Sequence, residues 1–155
     1  MKNNQLVIDN LNKQLTLELT SMDQYLAHSK IYEDWDITKL SEKIAHEHEE
    51  ELDHAKKLTE RILFLGGKPD TVSRAKVNIG SNVKEMLEFD LASEYEVADS
   101  LRKIITICEA EKDYVSRTIL EELLVDTEMD HIYWLTQHLG LIEKIGLQNY
   151  IQSQM

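Results

Sequence analysis

Apolar residues recur at steps of three and four along four long stretches of the chain, with polar and charged residues between them. That period belongs to helices with one buried face. The first stretch predicts a helix over about residues 5–34, with a seam of Leu11, Leu15, Glu18, Met22 and Tyr25. The second covers about residues 39–65, with Ile44, Glu51, Ala55, Leu58, Ile62 and Leu65 turned inward. The third, about 82–109, has the cleanest seam: Leu87, Leu91, Glu94, Ala98, Leu101, Ile105 and Cys108. The fourth, about 112–139, buries Leu120, Leu124, Glu128, His131 and Leu135. A short fifth helix is predicted over about 143–153, and it is too short to stand alone. It must dock elsewhere on the chain or on a neighbouring subunit.

The breaks between these stretches set the topology. Residues 34–38 form a short link, with Thr38 as the expected N-cap, so the first two helices are antiparallel neighbours. Gly66-Gly67-Lys68-Pro69 stops the second helix. Residues 67–80 lack helical periodicity, and their length is unusual for a bundle hairpin. Extended, they reach roughly 45–50 Å, the length of a thirty-residue helix. The loop can therefore cross the whole bundle and make helices two and three run in the same direction. Ser81 is placed to cap the third helix, and Gly140 to end or kink the fourth. The expected fold is a single all-α domain over 1–155: a four-helix bundle with a long second-to-third crossover and a short C-terminal helix.

Four glutamates interrupt these apolar seams, and their order repeats. Glu18 is followed 33 residues later by Glu51-Leu52-Asp53-His54, and Glu94 34 residues later by Glu128-Met129-Asp130-His131. A carboxylate on a buried stripe is costly unless paired or metal-bound. Glu and His three apart on a helix share a face and reach one metal. Two helices giving one Glu each and two giving Glu-x-x-His make the ligand set of a di-iron or di-manganese bundle. One such motif is most simply a solvated helix face; two, each one hairpin beyond a seam glutamate, are not. Iron, manganese and zinc all suit these oxygen and nitrogen donors.

Composition narrows the function further. The formal charge of −12 argues against a nucleic-acid backbone as partner and suits attraction of cations, although solubility alone also explains it. Cys108 is the only cysteine, which rules out an intrachain disulfide and a thiolate zinc site. The polar start has no signal-peptide run and no stretch has the length of a membrane span, so no membrane partner is expected and a cytoplasmic location is.

Leu-Asn-Lys-Gln-Leu (11–15), Glu-Arg-Ile-Leu-Phe-Leu (60–65), Asp-Tyr-Val-Ser-Arg (113–117) and Ile-Gly-Leu-Gln-Asn-Tyr-Ile-Gln-Ser-Gln (145–154), with the ligand motifs, make the chain resemble bacterioferritin and its haem-free relatives among bacterial ferritins over essentially its full length. The resemblance implies a ferritin-like fold and a hollow 24-subunit homo-oligomer. It implies a ferroxidase that oxidises ferrous iron with dioxygen or hydrogen peroxide and stores ferric mineral. It carries over Glu18, Glu51, His54, Glu94, Glu128 and His131 as metal ligands, with Glu51 and Glu128 as bridges. It suggests an inner-surface iron site at His46 and Glu50, an electron relay through Tyr25 and Trp134, and a ferredoxin for iron release. A non-storage di-iron or di-manganese oxidase or catalase of the same bundle type is the alternative.

Two departures from the family pattern stand out. One residue is inserted in the fourth helix before the last motif, which leaves the ligand types intact and predicts a local π-bulge. Leu52 occupies the position where the family holds haem between two subunits with Met. Leucine has no lone pair to give to iron, so no haem is expected in a homo-oligomer, and a mixed shell with a Met-bearing subunit would be needed for one. Glu47, Glu121 and Tyr114 are candidates for orienting the ligands. His28, His48 and His138 read as surface or interface residues, and Cys108 as core.

Overall fold

The structure, a computed structural model, describes residues 4–155. The polar start considered above begins at residues 1–3, outside the described part. Helix α1 spans Gln5–Asp34, α2 Thr38–Phe64, α3 Val83–Ala110, α4 Tyr114–Asp126, α5 Tyr133–Ile145 and α6 Leu147–Gln154. A π-helical turn, Thr127–Ile132, joins α4 to α5 in one continuous rod. Among the described residues the bundle is all-α, with the expected crossover and C-terminal helix.

Side-chain ties to the backbone fix the course of the crossover. Asn12 accepts from the Asp70 amide at 2.8 Å, Thr20 from the Ala75 amide at 2.8 Å, and Gln24 from the Asn78 amide at 3.1 Å. The Gly80 amide donates to His28 Nε2 at 3.1 Å. The loop thus runs beside α1 from Asn12 to His28. Helix α3 starts at that far end and returns, with Gln24 meeting Asp90 and Asn4 meeting Glu111. It is antiparallel to α1 and therefore parallel to α2, as the loop length required.

Helix ends differ from the sequence expectation in detail. Thr38 is the first helical residue; Ile37 is the N-cap and has no side-chain cap bond. Asn82, rather than Ser81, caps α3 by accepting from the Glu85 amide at 2.9 Å, while the Ser81 amide donates back to Glu85 at 2.8 Å. Gly140 neither ends nor kinks its helix. The stop falls at Gly146, whose φ of +84° is open to glycine and strained for other residues.

The last helix therefore begins at Leu147 and docks on its own subunit. Tyr150 is fully buried, and its hydroxyl lies 2.6 Å from His138 Nδ1. The apolar core is split in two. One cluster holds Leu11, Leu15, Leu58, Ile62, Leu101 and Leu120; the other holds Tyr32, Leu40, Ile44, Leu87, Leu135 and Tyr150. Between them lies a buried polar layer.

Candidate metal centre

Five side chains build that layer. Glu18 on α1, Glu51 and His54 on α2, Glu94 on α3 and His131 in the π turn are each at most 1% exposed. Their donor atoms form two triads sharing one carboxylate: Glu18, Glu51 and His54, and Glu51, Glu94 and His131. Within each triad the donor atoms lie within 4.8 Å of one another. The two imidazole rings lie nearly parallel, 16° apart, with centroids at 6.1 Å. His54 Nδ1 is 3.8 Å from Glu18 and from Glu51; His131 Nδ1 is 3.2 Å from Glu51 and from Glu94.

The electrostatics are those of a site short of positive charge. Burial raises Glu51 well above the usual carboxylate range, and repulsion from Glu18 and Glu94 adds to it. Burial also opposes ionisation of Glu18, but its neighbours Glu51, His54 and Gln14 outweigh it and bring Glu18 down to about 2. Glu18 Oε2, both Glu51 oxygens, Glu94 Oε2 and His54 Nδ1 are buried and make no hydrogen bond. Buried polar atoms are seldom left so. Here they converge from α1, α2 and α3, and oxygen with imidazole nitrogen is a donor set that suits iron.

Glu128 is not part of this convergence. It is partly exposed and its carboxylate accepts from Arg102 Nη2 on α3. The π turn explains the difference. Within it Thr127 takes the buried inward position, with its hydroxyl donating to the Leu123 carbonyl at 2.9 Å, and Glu128 points toward α3. Across the turn His131 and Leu135 still face inward. Of the two expected bridges, only Glu51 is shared between the triads.

The outer nitrogens of both imidazoles are occupied. His131 Nε2 lies 2.5 Å from Glu47 and 2.6 Å from Glu50. His54 Nε2 lies 3.0 Å from Asp126. Glu47 thus touches a ligand as expected, and its carboxyl is held low by His131 and Lys43 against the effect of burial. Glu121 instead pairs with Arg117 at the surface and Tyr114 is exposed, so neither orients a ligand.

Glu50 joins His131 to the exposed His46, whose Nε2 is 2.7 Å from the Glu50 carboxylate. The His131 contact is the main cause that lowers Glu50 to about 2. Tyr25 is buried and donates its hydroxyl to Glu94; burial, with Glu94 beside it, raises its pKa. Tyr25 and Trp134 line one small void against His131, and Trp134 stacks on His138 at 3.9 Å between centroids.

Asp126, Asp130 and Lys43 escaped the sequence reading. Lys43 reaches Glu47 at 2.7 Å and Asp130 at 3.5 Å.

Residues 8–145 match the family described as "Ferritin-like domain". The chain is a member of the ferritin-like family. A "Bacterial ferritin" of Synechocystis sp. is 50% identical over 155 residues, covering 100% of this chain and 99% of that one. A "Bacterial ferritin" of Pseudomonas aeruginosa is 52% identical over 149 residues, 96% of each. A "Bacterioferritin" of Brucella melitensis is 42% identical over 152 residues, 98% of this chain and 94% of that one. In this ferritin-like chain Leu52 lies at an apolar groove of roughly 280 Å³ with Leu15, Leu19, Ala55 and Thr59. Met22 packs on the core, Met86 is buried and Met129 is exposed on the π turn.

Proposed function

We propose that this ferritin-like chain stores iron, and that the buried layer binds ferrous iron as substrate and oxidises it. One observation carries the reading: carboxylate oxygens and an imidazole nitrogen from three helices, all without hydrogen bonds, point at shared interior seats. Cations there remove the repulsion between Glu18, Glu51 and Glu94 and satisfy the unbonded atoms together. Iron supplies the redox chemistry. The protein holds it with Glu18, Glu51, His54, Glu94 and His131, and orients the imidazoles through their outer nitrogens.

Glu50 and His46 offer an exit toward the surface for oxidised iron. Tyr25, bonded to Glu94, and Trp134, across the same void, are placed to supply an electron. The oxidant is dioxygen or hydrogen peroxide. The chain acts as one domain in a cytoplasmic 24-subunit shell, and among the described residues no helix is long and apolar enough to cross a membrane. Haem does not fit a shell of this chain alone, because Leu52 offers no donor. A Met-bearing partner subunit would supply one, and a ferredoxin would serve iron release.

Rapid mixing with ferrous iron tests the site. Glu18→Ala and His131→Ala are expected to slow the initial oxidation at least tenfold, and wild-type initial rates in either would remove the site from the account. Native mass tests storage: a particle far smaller than a closed shell would favour a non-storing di-metal oxidase or catalase.

A further inference from the structure

We propose that Asp126 is the positioning residue of His54. This deepens the metal-site reading and rests on it. His54 has two distinct ring nitrogens. Nδ1 faces Glu18 and Glu51 at 3.8 Å each and makes no hydrogen bond. Nε2 meets Asp126 Oδ2 at 3.0 Å. A carboxylate there keeps the proton on Nε2 and leaves the Nδ1 lone pair free for a cation.

The arrangement mirrors the other half of the site. His131 presents Nδ1 to Glu51 and Glu94, and its Nε2 is taken by Glu47 and Glu50. Each imidazole is thus clamped between an inner carboxylate pair and an outer acidic partner. For His131 the partner comes from the neighbouring α2. For His54 it comes from the last residue of α4, immediately before the π turn. Within the turn Thr127 points inward and Glu128 toward Arg102, while Asp126 before it rests against His54 of α2.

Asp126 is half exposed, so the contact sits at the solvent edge of a fully buried ring. Its removal takes away orientation and charge without opening the core.

Anaerobic Co(II) titration, followed by visible absorption and calorimetry, tests the proposal apart from oxidation activity. Wild-type protein is expected to take two Co(II) per chain; fewer than two would count against the paired site itself. In Asp126→Ala one of the two is expected to bind about 10–100-fold more weakly, the usual cost of losing a ligand's outer partner, with the other unchanged. Asp126→Asn keeps an acceptor but loses the charge, so its loss should fall near the lower end of that range. In a His54→Ala background the added Asp126→Ala change is expected to weaken binding no further. Wild-type affinities in Asp126→Ala or Asp126→Asn would overturn the role, and so would an undiminished effect once His54 is gone. Should the alanine variant fail to fold, the asparagine variant decides alone.

Discussion

His28 shows how a single residue departs from its sequence reading. It was expected at a surface or interface, yet it is fully buried. Gly80 donates to Nε2, so Nδ1 must carry the proton given to Asp90 at 2.8 Å. Its partner lies 62 residues away and its donor 52, beyond any local pattern. Asp113 is a second case. It accepts from the Ser116 amide at 3.0 Å as the α4 N-cap and from buried Arg61 at 2.9 Å. Burial alone would raise its carboxyl, but Ser116 and Arg61 hold it below the ordinary Asp value of 3.8. A depressed carboxylate stabilises the fold above its unfolded value and loses that contribution as pH falls through the folded one. The melting temperature should therefore drop below about pH 4, and drop less in Asp113→Asn. Asp113→Ala also strands the Arg61 charge and should cost about 3–5 kcal/mol in denaturant titration. Glu128→Gln breaks only the partly exposed pair with Arg102. It should change stability by under about 1 kcal/mol and leave two Co(II) per chain. Loss of one ion would return Glu128 to the ligand set.

At the scale of elements, periodicity located every helix, but glycine counting misplaced the last break. A Cβ on Gly140 would meet nothing within 4 Å, and the backbone there is helical. Gly140→Ala should therefore stabilise by about 0.5–1 kcal/mol, read from the melting transition. Gly146→Ala, at φ +84°, should destabilise by about 1 kcal/mol or more and loosen the Tyr150 contact, visible as faster amide exchange in α6. The π-bulge was expected from the insertion, but its consequence was not. Counting Glu-x-x-His assumes an unbroken α-helix from Glu128 to His131, whereas a wider turn changes which side chains share a face. Deleting Thr127 should restore a regular helix and turn Glu128 inward, which a crystal structure of the variant would show. Glu128 still on Arg102 in that variant would sink this explanation.

The molecule as a whole places its polar layer between two apolar clusters, a costly arrangement without cations. Anaerobic ferrous or cobalt ions should raise the melting temperature. At a hundredfold excess over Kd each bound ion contributes about 2.7 kcal/mol. Glu51→Gln removes a carboxyl whose ionisation burial and its neighbours suppress, and should raise the metal-free melting temperature while weakening that response. An unchanged melting curve with metal would mean that the layer does not bind it.

Sequence alone determined the helices, the crossover and five of the converging side chains, because these follow from spacing along one chain: three-to-four periodicity, loop reach, and carboxylates set on apolar seams. Tertiary structure decided the rest. Which nitrogen of each imidazole faces inward, which carboxylate backs it, and where Glu128 points depend on neighbouring helices and on one widened turn, and no spacing within a single helix encodes those contacts.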